Sequence, residues 1–280
     1  MELRRRALGA GWYPASGEAC RAQIEGYLRA APPRPVGLAH VVGGIVPHAG
    51  WFFSGRLAAW TFAAAAGEQP EVIILFGGHL SHGPPRLIME DAWETPLGDL
   101  ALAPELAAEL AERLGCRHEP PGPDNTLEVH LPMLKYLFPR VKLLAARAPH
   151  LKVAFKLGEE AVRICQERGL RCLAFGSTDL THYGPDYGFL PAGSGPQALE
   201  WVKGVNDARF IEAAVRLDAA ALLRLGTEEG SACSAGAAAA AVVVAGRLLG
   251  ATRGHLLASY TSADVASLGE SFVGYAAIIF

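Results

Sequence analysis

The sequence predicts an α/β fold, a single-domain three-layer sandwich around a mixed central sheet, and three observations carry that expectation. Short apolar runs rich in β-branched residues alternate with longer amphipathic or alanine-rich stretches, the pattern of strands joined by crossover helices. The last two strand-like runs, residues 255–260 and 272–280, follow one another with no helix between them, so part of the sheet is antiparallel. The 280 residues, 51% of them hydrophobic, contain no low-complexity linker, long charge run or fixed-period repeat. One large core and one domain over residues 1–280 follow.

The elements are read in order. Residues 11–17, GWYPASG, form a turn, and a helix begins near Ser16 with Ile24, Tyr27 and Leu28 on one side. Residues 36–46, VGLAHVVGGIV, read as the first buried strand, ended by Pro47, which has no N–H to give a ladder. Ser54 is placed as the cap of the next helix, which runs into the alanines at 63–66. Residues 71–76, EVIILF, form the second strand and empty into GGHLSHG. After an excursion containing RLIME and WETPLGDL comes an amphipathic helix at 102–114, then the segment DNTLEVHLP at 124–132. A third strand at 141–146, a helix at 151–167 and a fourth strand at 170–175 follow, the last opening into GSTDLTH. Residues 197–225 are helix-rich, and the run ACSAGAAAAAVVVAG at 232–246 is a helix buried on all sides.

Three strand ends therefore deliver polar groups: His48, then His79 with His82, then Asp179 with His182. In open α/β sheets the carboxyl edge is where ligands sit, so these groups are expected to meet at one rim. Two imidazoles hold a first-row metal if a third, anionic ligand joins them. Cys233 is the first candidate, because the start of the alanine-rich helix favours a thiolate; Glu228 and Glu229 just upstream are the carboxylate alternatives. Glu128 and His130 are the polar positions of an apolar segment and are expected beneath the site.

Composition excludes several classes. A net charge of −3 with scattered Lys and Arg offers no basic stripe for nucleic acid. The five cysteines are odd in number and lack a CxxC, which fits a reducing, cytoplasmic setting better than a disulfide framework or a structural zinc. The start, MELRRRALGAGWYP, lacks the apolar segment of a secretory signal, and residues 232–246 are too short for a membrane span.

The motifs GWYPASG, VPHAGW (46–51), VIILFGGH (72–79), TPLG (95–98), DNTLEVHLP, STDLTHYG (177–184) and the Cys233 segment together resemble the Memo family. Its bacterial and archaeal members are also called AmmeMemoRadiSam system protein B, and they are relatives of the class III, LigB-like extradiol ring-cleaving dioxygenases. The resemblance runs from near the first residue to the last. It implies a LigB-like domain with a pocket corresponding to the iron site of the dioxygenases. His48 and His79 match the histidine ligands there, and His182 matches the acid/base histidine with Asp179 beside it. Cys233 stands where the ring-cleaving enzymes carry a glutamate, and a thiolate changes the charge and softness of the site. Within GGHLSHG, ungapped counting from the strand selects His79, with His82 as the alternative; Asn125 occupies a position often held by histidine in relatives. Trp51, His82, Glu128 and His130 are expected behind the ligands or along a substrate pocket.

Three readings follow. The first is a protein that binds iron or copper through His48, His79 and Cys233. The second is an active non-haem iron dioxygenase with a carboxylate from Asp179 or a nearby Glu and a proton shuttle at His182. The third is a binding module whose pocket takes a small molecule or peptide without chemistry. The resemblance also implies a functional association with radical-SAM and Ammecr1-like proteins.

Overall fold

The structure, a computed structural model, describes residues 2–266 and 269–280, without the side chains of residues 234 and 235. The chain passes through β1 (Leu3–Arg4), α1 (Gly17–Leu28), β2 (Gly43–Val46), α2 (Trp51–Ala64), β3 (Val72–Leu80), β4 (Arg86–Leu87), β5 (Ala92–Trp93), β6 (Leu100–Ala101) and α3 (Pro104–Leu114). It continues with β7 (Arg117–His118), α4 (Asn125–Glu128), α5 (Leu131–Leu137), β8 (Lys142–Pro149), α6 (Val153–Glu167), β9 (Cys172–Ser177) and β10 (His182–Tyr183). The last elements are α7 (Pro196–Trp201), α8 (Asp207–Val215), α9 (Ala219–Glu228), α10 (Ala237–Leu248), β11 (His255–Thr261) and β12 (Phe272–Ile279).

The large sheet is mixed, in the order β10-β12-β2-β9-β3-β8-β4-β7, with β11 also paired to β12. Its centre, β2, β9, β3 and β8, is parallel, and β12 runs antiparallel to β2. A crossover helix packs each parallel return, so helices cover both faces and the central strands are apolar on both sides. Alternate residues divide between two cores: Ile74, Phe76, Leu144 and Ala146 meet α3, α6 and α10, while Ile73, Leu75, Leu143 and Ala145 meet α1, α2 and α5. Among the described residues no helix is long and apolar enough to cross a membrane.

Two sequence expectations are corrected. The run 36–46 is a strand only over Gly43–Val46; Val36 is fully exposed, and Arg34 and Glu68 hold residues 39–41 in a loop. Apolar composition there does not supply a partner strand. Ser54 is no cap either, because α2 already starts at Trp51, whose N–H is taken by the distant carbonyl of Trp12 at 2.8 Å, and the Ser54 hydroxyl donates back to the Ala49 carbonyl.

The alanine-rich α10 is buried over most of its length and lies against α6 so closely that backbone touches backbone. A Cβ added to Gly158 of α6 would sit 2.1 Å from the Ala241 carbonyl oxygen. Gly158→Ala should therefore cost about 1–3 kcal/mol, the usual range for overpacking a core, read as a lower urea midpoint; wild-type stability would mean that the two helices part freely.

Candidate metal centre

The parallel centre of the sheet sends the carboxyl ends of β2, β9, β3 and β8 to one edge. Val46 pairs with Ser177, so the residues that leave β2 and β9 emerge side by side. His48 is 1% exposed, and its backbone N–H donates to Asp179 Oδ1 at 2.7 Å. Beneath it, the Ser177 hydroxyl lies 2.8 Å from His48 Nδ1 and 2.9 Å from His130 Nε2. Burial, followed by the nearby His48, pushes the His130 pKa down to about 3, so His130 is neutral. The contact of Nδ1 with the serine leaves His48 Nε2 facing outward.

Cys233 lies in the short turn before α10 and is lashed to the same loop. Its N–H donates to the Asp179 carbonyl at 3.1 Å, and the Asp179 N–H donates to its sulfur at 3.3 Å. The sulfur is 3.2 Å from His48 Nε2 and also hydrogen-bonds His79. Burial alone would raise this thiol, but His48 and the hydrogen bonds from both imidazoles outweigh it and hold it well below the ordinary range. Burial likewise opposes charge on His48, yet the Cys233 thiolate and Asp179 push that imidazole up to about 9. Without a cation, the two form a thiolate–imidazolium pair.

His79 comes from the far end of β3, with its ring centroid 5.1 Å from that of His48. One donor atom from each of His48, His79 and Cys233 lies within 4.8 Å of the others. An ion at 2.0–2.3 Å from such nitrogens and sulfur spaces them about 3.5 Å apart, so the donors need only close slightly. His82 is exposed and adds no donor to this group.

Asp179 Oδ2 stands 3.9 Å from both His48 Nε2 and His182 Nε2, ion-pair distances rather than hydrogen bonds. Burial opposes the charge on Asp179, but His48 and then His182 keep its carboxyl below the usual range; the His182 pKa is raised, Asp179 outweighing burial. The His182 ring packs 4.8 Å from Tyr187, and these two residues separate two cavities of about 280 Å³ each. One is walled by Trp12, Phe53, Asn125 and Tyr275, the other by Phe189, Gly230 and Cys233.

Other expected residues lie elsewhere. Trp51 packs in the core between Tyr13 and Tyr27, donating its indole N–H to the Val129 carbonyl, and the tryptophan that reaches the cavity is Trp12. The Glu128 carboxylate is buried and engaged by the N–H groups of Ala7 and Leu8 and by the Tyr13 hydroxyl, so it pins the N-terminal segment that carries Trp12. Glu229 is drawn away by Arg209 and Arg224. Two residues beside the site carry no signal in the sequence. His150, at the end of β8, has a buried Nε2 without a hydrogen-bond partner, and its pKa is lowered chiefly by burial, with His79 and His82 adding to it. Asp207 is buried behind the loop, its Oδ1 accepting from the Thr181 N–H at 3.1 Å and hydroxyl at 2.5 Å. Neither sits in a motif that marks it.

A family model described as Memo-like protein matches residues 4–279. A MEMO1 family protein of Methanopyrus kandleri is 32% identical over 293 aligned residues, covering 99% of this chain and 98% of its own. Another, from Pyrobaculum arsenaticum, is 29% identical over 298, covering 100% and 99%. Among solved structures, an uncharacterized protein of Escherichia coli K12 aligns with a TM-score of 0.48 and 13% identity, over 78% of this chain and 91% of that one.

Burial raises the Asp207 carboxyl to about 7 against the Thr181 hydrogen bonds. With the folded value above the unfolded one, folding takes up a proton between pH about 4 and about 7, and stability falls as pH rises through that window. Asp207→Asn imitates the protonated acid, so its stability relative to wild type should grow across the window by on the order of a few kcal/mol and level off above it. Urea titrations of both proteins from pH about 4 to about 8 check this; parallel curves would show that Asp207 titrates normally.

Proposed function

The chain belongs to the Memo-like protein family, and from that premise we propose that it binds a redox-active metal, iron or copper, through His48, His79 and Cys233 beside a pocket for a small molecule or the tip of a peptide. The observation that carries the reading is the convergence of two imidazoles and one sulfur, from three separate chain segments, to within 4.8 Å of one another. Thiolate with imidazole is a donor set suited to these metals. The mixed sheet with helices on both faces, and the position of the donors at its carboxyl edge, support a LigB-like ancestry for the pocket.

Bound there, the ion would act as a Lewis acid and exchange electrons with a bound molecule. The chain's own residues prepare that. Ser177 and His130 orient His48, and the backbone N–H of Asp179 steadies the Cys233 sulfur. His182, with Asp179 supporting its charge, faces the cavity and can hold a proton at Nε2. Trp12, Phe53 and Tyr275 give the cavity aromatic walls against which a bound molecule can pack.

Elemental analysis of protein purified without oxygen or chelator tests the reading. Near-stoichiometric iron or copper is expected in wild type and its loss in His48→Ala; no metal in either, even after anaerobic loading, would leave a ligand pocket only. Cys233→Ala should lower metal affinity at least about tenfold without unfolding the chain, and unchanged affinity would remove the sulfur from the donor set. Cys233→Glu should retain Fe(II). Oxygen uptake with a panel of catechols by wild type would favour the dioxygenase reading instead.

A further inference from the structure

The end of β3 that delivers His79 is irregular. Its register against β8 is even from Val72 opposite Lys142 to Gly77 opposite Arg147, and then Leu80 faces Pro149. Three steps along β3 therefore match two along β8, and the extra residue makes a bulge. Within it, His79 has φ +55°, the left-handed region that a non-glycine residue holds when its surroundings impose it.

Those surroundings are specific. Arg147 Nε donates to the Gly78 carbonyl at 2.9 Å and Nη2 to the His79 carbonyl at 2.6 Å. The Gly78 N–H donates to Thr126 Oγ1 at 3.0 Å. The guanidinium is itself held, with Nη1 on Glu119 at 2.9 Å and Nε 3.3 Å from Asp124 Oδ2. The two carbonyls belong to the peptide planes on either side of the His79 Cα. Holding both planes sets φ and ψ at His79, and with them the direction in which its side chain leaves the backbone.

We propose that Arg147 is a positioning residue that aims His79, rather than His82, at His48 and Cys233. The inference rests on the metal-binding reading above. Only a planar fork with parallel N–H groups takes both carbonyls at once; a lysine ammonium is a point charge and does not reproduce the pair. His82 lies beyond the clamp, is exposed and brings no donor to the group.

The experiment compares wild type, Arg147→Lys, Arg147→Met and His79→Ala, each titrated anaerobically with Co(II) alone. The Lys variant keeps a cation beside Glu119 and Asp124, which guards against loss of fold. Both Arg147 variants should bind Co(II) about 10- to 100-fold more weakly, with a weakened thiolate-to-metal charge-transfer band; Tm should be almost unchanged in Arg147→Lys and lower in Arg147→Met, which leaves Glu119 and Asp124 without that cation. In apoprotein, the amides of residues 78–80 should exchange about tenfold faster while those of β9 do not change. Wild-type affinity, band and exchange in Arg147→Lys would overturn the proposal. Failure of the metal reading looks different: wild type and His79→Ala would then bind Co(II) equally, and the amide exchange alone would decide the role of Arg147.

Discussion

The parallel pairing of β2 with β9 is the constraint on which the rest of the site depends. With Val46 beside Ser177, the two chains leave the sheet together, and the His48 N–H reaches the Asp179 carboxylate two residues beyond. Ser177, the last residue of β9, lies directly beneath and touches both His48 and His130. Cys233 then docks on Asp179, its N–H donating to the Asp179 carbonyl and its sulfur accepting from the Asp179 N–H, which fixes the turn before α10 against this loop. A one-residue slip of β2 along β9 would turn the side chains of β2 to the opposite face and carry His48 away from Ser177 and Asp179. The apolar contacts that forbid the slip, Ile45 and Ala174 on one face and Val46 and Phe175 on the other, are therefore also what hold the polar groups in register.

Local patterning makes part of this legible in the amino-acid sequence alone. The run VIILF and the late pair of strands lie where periodicity puts them, because buried strands and helices carry their burial in their composition. His48, Asp179 and His182 stand out as polar residues directly after such runs, and Cys233 as a cysteine before a helix. The parts that are not legible depend on residues distant in sequence. The start of α2 is completed by the Trp12 carbonyl, a contact that no capping rule contains, and the serine that fits the rule lies a turn too late. VGLAHV is apolar yet lies outside the strand ladder, since strand length is set by available partners. Glu128 resembles a site residue because it is a lone carboxylate among apolar neighbours. Its real partners are N–H groups more than a hundred residues away. Arg147 leaves a trace, a single cation inside the strand LLAARAP, but its meaning needs the β3 bulge opposite it.

The electrostatics of the metal-free pocket explain why it suits a cation. Two buried anionic groups, the Cys233 thiolate and the Asp179 carboxylate, face His48 and His182. The raised pKa of His48 is the compensation, and its Nε2 lies 3.2 Å from the sulfur. A divalent ion in the same place would displace the imidazole proton and add one unit of positive charge beside the two anions. The other ring nitrogen, Nδ1, is engaged by Ser177 at 2.8 Å. The contacts with Ser177 and, through it, His130 thus lie behind His48, away from its Nε2.

The same network bears on why sulfur rather than the nearby carboxylate joins the two imidazoles in the group that could hold an ion. Asp179 Oδ2 already lies 3.9 Å from His48 Nε2 and carries the charge that an ion would want. Its other oxygen, however, accepts the buried His48 N–H at 2.7 Å, and swinging the carboxylate toward His79 would leave that N–H without a partner at a cost of about 1–3 kcal/mol. The carboxylate would also leave His182, whose raised pKa depends on it. Asp179 is thus committed to holding two histidines in place, one on each side. The Cys233 sulfur is held where it already faces the two imidazoles, with the Asp179 N–H at 3.3 Å and the Thr178 hydroxyl at 3.5 Å behind it. It can meet an ion between those imidazoles without giving up either contact. The division of labour follows: the carboxylate orders the loop and supports charge on His182, and the thiolate is the anion left to meet a metal.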